Sequence, residues 1–167
     1  ICLILSDVDG VLTDGGIVFD NEGIETKQFH IRDGLGIKLW QKAGMHFGLV
    51  TGRSSNIVQL RAKDLGVQIV RQGFEEKLSI VRDIIVSLGL SAEQVCYIGA
   101  DLPDLSVMQH VGLSATVADA AIDVRRAASF VSECRGGHGA VRDLIEHILR
   151  AQGKWAEIIR RFSANEA

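Results

Sequence analysis

The sequence predicts an α/β fold, a doubly wound parallel sheet with helices on both faces. Short apolar runs alternate with amphipathic helical segments from one end of the chain to the other. The first run, ICLILSD, is apolar almost without interruption, as expected for a strand that is buried on both faces. Because each parallel connection needs a crossover, the intervening helices must lie against the faces of the sheet.

The first half of the chain supplies three strands, a hairpin and two helices. After ICLILSD, the segment GIVFDNEGIETKQFHI has two β-prone arms around DNEG, which predicts a β-hairpin flap over about residues 16–31. The run DGLGIKLWQKAG predicts a helix, and HFGLV predicts a strand. SSNIVQLRAKDLG predicts a helix with a serine cap and a terminal glycine, and VQIV predicts the next strand.

The second half repeats this alternation. The predicted helices are EEKLSIVRDIIVSLGL, LPDLSVMQHVG and ADAAIDVRRAAS, and the predicted strands are VCYIG, LSATV and FVS. A long helical segment from Gly139 to about Phe162 ends the pattern. No repeat or linker interrupts the chain, and 167 residues suit one core, so we expect a single domain over residues 1–167.

Composition excludes several classes of protein. The 18 basic and 21 acidic residues leave a net charge of -3, so no broad basic face for nucleic acid is expected. No apolar run reaches the roughly 20 residues that cross a bilayer, so we expect no membrane association. Cys2, Cys96 and Cys134 have no metal-like spacing and are odd in number, which favours reduced thiols and a cytoplasmic location.

Polar side chains follow each of the central predicted strands. The carboxyl ends of parallel strands meet at one edge of the sheet, where ligands of such folds bind. We therefore expect these residues to share one crevice. They are Asp7 and Asp9 after the first strand, Thr51, Gly52 and Arg53 after HFGLV, Lys77 after VQIV, and Asp101 and Asp104 after VCYIG.

This set of residue types suits phosphoryl transfer with a divalent cation. Mg²⁺ takes carboxylate oxygens and substrate phosphate oxygens, and it lets an anionic nucleophile approach an anionic phosphoryl group. Asp7 is positioned to attack phosphorus, and Asp9, two residues further on the same face, is positioned as general acid and base. Thr51 and the Gly52 amide suit the phosphoryl oxygens, and Lys77 suits the developing charge.

The motifs DVDGVLTDG, TGR, Lys77 and GADLPD, in this order, resemble those of the haloacid dehalogenase superfamily of phosphatases. More narrowly, FHIRDGLGIKLW, VTGRSSNIVQLRAKDLGV and GGHGAVRDLIEHILRAQGK resemble the 3-deoxy-D-manno-octulosonate 8-phosphate phosphatase subfamily. That resemblance implies an enzyme without a cap domain that depends on Mg²⁺ and hydrolyses a phosphorylated eight-carbon keto-sugar acid. It also implies a homotetramer whose subunits close each other's sites, and a place in lipopolysaccharide precursor synthesis.

The resemblance also implies roles for individual residues. Asp7 is then nucleophile and metal ligand, Asp9 is acid/base with a metal-binding carbonyl, and Thr51 and Lys77 hold the phosphoryl group. The segment Phe29 to Gly34 and two arginines then contact substrate; the residues implied are His30, Arg32, Asp33, Gly34, Arg53 and Arg61. Arg53 favours the eight-carbon substrate, since phosphatases of nine-carbon sugar acids tend to carry glutamate after TG.

One position departs from the family pattern. The fourth motif usually reads Gly-Asp-Asp-x-x-Asp with the first Asp on the metal, and this chain has Ala100 there. Either Asp101 or Asp104 supplies the missing metal ligand, or metal affinity is weak. Two alternatives therefore stay open: a lapsed phosphatase kept for oligomerisation, and a phosphatase for another small phosphate ester such as a nine-carbon keto-acid 9-phosphate.

Overall fold

The computed structural model describes residues 1–163 and contains a six-stranded parallel sheet. The strands are β1 (Leu3–Ser6), β4 (His46–Thr51), β5 (Ile69–Gln72), β6 (Val95–Gly99), β7 (Leu113–Thr116) and β8 (Phe130–Val131). Their spatial order is β5-β4-β1-β6-β7-β8, and every pairing in this sheet is parallel. The predicted doubly wound α/β fold is confirmed.

Seven α-helices connect and flank the strands. They are α1 (Ile31–Lys42), α2 (Asn56–Leu65), α3 (Lys77–Ser87), α4 (Leu105–Met108), α5 (Ile122–Ala127), α6 (Ala140–Ala151) and α7 (Trp155–Ser163). Helix α1 packs on α6, and α3 packs on α4. All residues of β1 and of β6 are buried. Since successive side chains of a strand point to opposite faces, both faces of the sheet are covered.

The chain order places a crevice beside β1. From β1 the chain runs outward through β4 to β5, then crosses back to pair β6 with the other side of β1. The loops after β1, β4 and β6 therefore leave the same edge of the sheet next to one another, at the point where strand order reverses. The predicted site residues are distant in sequence, and this topology brings them together.

The flap is a two-stranded antiparallel hairpin of β2 (Val18–Phe19) and β3 (Glu25–Thr26). Its turn is stabilised by the Asp20 carboxylate, which accepts hydrogen bonds from the backbone amides of Glu22 and Ile24. The hairpin pairs with no strand of the main sheet. It is therefore held to the rest of the chain by side chains.

Several predicted elements differ in their limits. The strand predicted from VQIV lies two residues later, at β5. The helix predicted over LPDLSVMQHVG is a 3₁₀ turn at Leu102–Asp104 followed by the short α4. The single long C-terminal segment is two helices, because Gly153 adopts a left-handed conformation (φ 70°) between α6 and α7. No helix in residues 1–163 is long and apolar enough to cross a membrane.

Candidate active site

A cavity of about 450 Å³ opens at the carboxyl ends of the central strands. It collects the residues at or beyond the ends of four different strands, β1, β4, β5 and β6, as the sequence predicts. They are Asp7, Asp9, Thr51, Gly52, Arg53, Lys77, Asp101 and Asp104, joined by Glu75 and Pro103. Other hollows of similar size lie on α7 and α2, away from these charged side chains, so cavity size alone does not identify the site.

Asp7 lies at the floor of this cavity, directly after β1. Its Oδ1 accepts a hydrogen bond from the Val8 amide (2.8 Å) and lies 3.0 Å from the Lys77 ammonium. Burial, reinforced by the neighbouring charge of Asp104, raises the pKa of Asp7 to about 6 despite the opposing effect of Lys77. Within residues 1–163 both of these contacts fall on Oδ1, and Oδ2 faces neither partner.

Asp104 holds Lys77 beneath the cavity. Its Oδ1 accepts hydrogen bonds from Lys77 Nζ (2.8 Å) and the Tyr97 hydroxyl (2.6 Å), and its Oδ2 accepts from the amides of Ala100 (2.9 Å) and Asp101 (3.2 Å). Burial opposes the charge of Lys77, but the two neighbouring carboxylates outweigh it and raise the pKa of the ammonium. Lys77 is therefore a fixed cation beside Asp7.

Thr51 and Gly52 form the turn that leaves β4. Thr51 is buried, and its carbonyl accepts hydrogen bonds from Gly73 and Phe74, which fixes the turn against the loop after β5. Gly73 needs its left-handed conformation (φ 82°) for that approach. Thr51 and Gly52 thus line the cavity together.

The flap contacts the rim of the cavity through charged side chains. Lys27, directly after β3, contacts Asp9 Oδ1 (2.5 Å) and Glu25 Oε1 (3.3 Å). Arg53 donates to the same Glu25 oxygen (2.7 Å), and its Nε lies 3.9 Å from Asp9 Oδ2. Asp9 therefore lies between two cations, one from the flap and one from the loop after β4.

The residues predicted to bind Mg²⁺ have different surroundings. Among residues 1–163 no three acidic, histidine or cysteine side chains form a ready metal cluster. Both oxygens of Asp104 are occupied by four donors, so they serve Lys77 and the backbone instead of a cation. Asp101 is exposed and lines the cavity; its Oδ1 accepts from the Leu102 amide.

The donor chemistry nevertheless fits a hard cation. Asp7 and Asp101 supply carboxylate oxygens, Asp9 supplies a carbonyl, and such oxygens are what Mg²⁺ prefers. Ala100 brings only a methyl group to the slot next to Asp9, a hollow that Asp14, Asp101 and Asp119 also line.

Five residues that the resemblance assigns to substrate lie elsewhere. None of His30, Arg32, Asp33, Gly34 and Arg61 lines the cavity. Arg61 pairs with Asp64 (2.8 Å) and lies over the Phe29 ring, while Arg32 is exposed. Gly34 gives room to Arg61, since a Cβ there would come within 2.4 Å of its guanidinium.

Asp33 caps the start of α6. Its side chain is buried and accepts hydrogen bonds from the amides of Gly139 (3.2 Å) and Arg142 (2.8 Å), at the start of α6. Burial raises the pKa of this carboxyl. His30 lies beside the same loop and precedes α1, and its Nδ1 is buried without a hydrogen-bond partner among the described residues.

Two charged residues of this site were missed in the sequence. Glu25 and Lys27 both point from the flap toward Asp9 and Arg53. A signal was present: two opposite charges two residues apart on a hairpin arm share one face of that arm. The partners of these two side chains depend on where the hairpin packs, and the local sequence pattern does not predict that position.

The fold and this cavity define a class of protein. The family model for haloacid dehalogenase-like hydrolases matches residues 67–144. The 3-deoxy-D-manno-octulosonate 8-phosphate phosphatase of Haemophilus influenzae is 43% identical over 90% of this chain and 84% of its own, and that of Escherichia coli K12 is 41% identical over 93% and 82%. The chain therefore belongs to the haloacid dehalogenase-like hydrolases, in the family of 3-deoxy-D-manno-octulosonate 8-phosphate phosphatases.

A solved structure supports the same placement. The 3-deoxy-D-manno-octulosonate 8-phosphate phosphatase from Moraxella catarrhalis, in complex with a magnesium ion, a phosphate ion and a KDO molecule, superposes with a TM-score of 0.95. It is 38% identical, and the match covers 97% of this chain and 93% of that one. The predicted family is confirmed.

Proposed function

We propose that this protein is a Mg²⁺-dependent phosphatase that hydrolyses 3-deoxy-D-manno-octulosonate 8-phosphate. The observation that carries the proposal is the cluster of Asp7, Lys77 and Asp104 at the floor of a cavity whose rim carries Asp9 and Arg53. A nucleophile, a fixed cation and an acid/base thus face one space. The names of the relatives supply the substrate.

The residues suit a two-step reaction through an aspartyl-phosphate. Asp7 Oδ2 attacks phosphorus while the bond from phosphorus to the sugar oxygen breaks, and Asp9 gives its proton to that oxygen. Asp9 then takes a proton from water, which attacks the same phosphorus and frees Asp7 and inorganic phosphate. Thr51 and Lys77 hold the phosphoryl oxygens throughout. Bound Mg²⁺ supplies positive charge that offsets repulsion between the carboxylate and the phosphoryl group.

A turnover assay tests this proposal. Phosphate release is measured with and without Mg²⁺ on eight-carbon and nine-carbon keto-sugar acid phosphates and on p-nitrophenyl phosphate, with Asp7→Asn as the inactive control. We expect Mg²⁺-dependent turnover with the highest kcat/KM on the eight-carbon ester. A higher kcat/KM on the nine-carbon ester would make that ester the substrate in place of the proposed one. Turnover by Asp7→Asn would exclude the aspartyl-phosphate mechanism.

One observation favours a second candidate, a lapsed phosphatase kept for oligomerisation. Ala100 removes a side-chain oxygen from the slot next to Asp9, and Asp104 is fully engaged with other donors. The same assay separates the two candidates. A wild type that stays inactive at saturating Mg²⁺ on every ester, while Ala100→Asp regains activity, would establish the lapsed enzyme.

Self-association as a homotetramer forms part of the proposal. Helix α6 covers its own subunit with Leu144, Ile145, Ile148 and Leu149, and α7 buries only Trp155 and Ile158. The support comes from the flap side, where large apolar side chains are exposed; they are Ile17, Val18, Phe19, Ile24 and Ile31. Light scattering at micromolar concentration should give the tetramer mass, and a monomer mass would contradict it.

The proposed substrate places the protein in lipopolysaccharide precursor synthesis in the cytoplasm. The three cysteines are free thiols, in agreement with a reducing compartment. Fractionation of cells that produce the tagged protein tests this location.

A further inference from the structure

Lys27 is a buried cation that the proposed reaction does not use. Its side chain is only 1% exposed, and its ammonium lies between the carboxylates of Asp9 and Glu25. A buried ammonium needs an anionic partner, because removing a partner from such a pair leaves an uncompensated charge. Lys27 can therefore stay buried only while an anion pairs with its ammonium group.

The Glu25 carboxylate is one of these anions, and it also pairs with a second cation, Arg53. Its Oε1 lies 3.3 Å from Lys27 Nζ and 2.7 Å from Arg53 Nη2. With Asp9, which Lys27 and Arg53 also flank, these side chains form a ring of alternating charge that we call the flap ring: Asp9, Lys27, Glu25 and Arg53. One carboxylate oxygen thus bridges a lysine and an arginine at the cavity rim.

That bridging position is a carboxylate site. Lys27 and Arg53 converge on one point, and arginine and lysine together are a strong receptor for a carboxylate. Arg53 is 41% exposed, so a ligand in the cavity can reach it, and Glu25 belongs to a hairpin that forms no strand pairing with the main sheet. An incoming carboxylate can therefore replace Glu25 without leaving either cation unpaired.

We propose that Lys27 and Arg53 bind the carboxylate end of an acidic substrate, and that Glu25 occupies this place in the free protein. The proposal rests on the proposed function, whose substrate carries a carboxylate in addition to its phosphate. Glu25 is then an internal competitor that only an acidic ligand displaces. A neutral phosphate ester leaves the flap ring intact and gains nothing from it, so the ring selects sugar acids over neutral sugar phosphates.

Removing the competitor and removing the receptor have opposite consequences. Glu25→Gln deletes the internal anion, so the ratio of kcat/KM for the octulosonate ester to kcat/KM for p-nitrophenyl phosphate should rise several-fold. Lys27→Met deletes a charge-assisted contact, so the same ratio should fall by about 10- to 100-fold. Lys27→Arg keeps the charge and should restore much of the ratio. Glu22→Gln, an exposed glutamate of the same hairpin, is the matched control for charge.

Inhibition of p-nitrophenyl phosphate hydrolysis provides a second measurement. Phosphate-free 3-deoxy-D-manno-octulosonate should inhibit Glu25→Gln more strongly than wild type and Lys27→Met more weakly, whereas inorganic phosphate should not distinguish the two variants in this way. A purely structural flap ring would lower both activities together in both variants and leave the ratio unchanged, and that result would overturn the proposal. Equal inhibition of all forms by the free sugar acid would also overturn it.

These measurements distinguish failure of the proposed function from failure of the carboxylate site. If the wild type hydrolyses p-nitrophenyl phosphate but not the octulosonate ester, the proposed substrate is wrong. The inhibition series then still tests the carboxylate site, with pyruvate and N-acetylneuraminate as alternative carboxylate probes. Opposite shifts in Glu25→Gln and Lys27→Met for any of these acids would support the site, and identical inhibition constants would refute it.

Discussion

Replacing Asp104 by asparagine should damage stability and activity together. The carboxylate accepts four hydrogen bonds, two on each oxygen: Lys77 and Tyr97 on one, and the amides of Ala100 and Asp101 on the other. Asparagine has a similar volume but only one acceptor oxygen. Its NH₂ group must therefore face two donors, whichever way the amide turns.

The size of the effect follows from burial. The Asp104 side chain is 1% exposed, so water cannot compensate for the lost bonds. Breaking a buried ion pair costs about 3–5 kcal/mol. Because Lys77 keeps Asp7 as a partner at 3.0 Å, we expect a loss near the lower end, about 3 kcal/mol in the free energy of unfolding. An unanchored Lys77 should also lower kcat by about 10²- to 10³-fold, the loss typical of a missing electrostatic donor.

Urea denaturation and p-nitrophenyl phosphate turnover measure the two effects. Asp101→Asn is the matched control for stability, since the same chemical change falls on an exposed side chain and should cost less than about 1 kcal/mol. Tyr97→Phe removes one bond from the same oxygen and should cost about 1 kcal/mol. An Asp104→Asn protein as stable as this control and as active as the wild type would refute the reasoning. Normal stability with a loss of Mg²⁺ affinity would identify Asp104 as a metal ligand instead.

Three other predictions concern single positions around the site. Asp7→Asn should lower turnover about 10⁴-fold or more. Because the folded pKa of Asp7, about 6, lies above the ordinary 3.8, the metal-free wild type should lose stability relative to this variant as the pH rises between those values. A stability difference from urea denaturation that stays constant over this pH range would contradict this. Ala100→Asp should tighten Mg²⁺ binding and raise turnover at limiting metal; unchanged Mg²⁺ titrations would show that the slot is not a metal position. Asp33→Ala should lower the free energy of unfolding by about 1–2 kcal/mol through loss of the α6 cap, and a raised KM at unchanged stability would restore the implied substrate contact.

Much of the fold follows from patterns that are local in sequence. Apolar runs of strand length alternate with helical segments, so the order of elements and the parallel sheet follow from periodicity and crossover geometry. The ends of helices and strands depend on the segments that pack against them, so they are harder to predict from sequence. Gly153 breaks the C-terminal segment because α7 turns back to bury Trp155 and Ile158, and a helical periodicity alone does not show such a turn.

The sequence by itself determined which polar residues gather at one edge of the sheet. Asp7, Thr51, Lys77 and Asp104 each follow or begin a recognisable element, and parallel strands bring those ends together. The tertiary structure alone decided what each carboxylate touches. Asp104 holds Lys77, Asp33 caps α6, and Glu25 with Lys27 connects the flap to Asp9 and Arg53. The physical reason is that a charged side chain takes its role from the nearest opposite charge and its exposure to water, and both depend on segments distant in sequence.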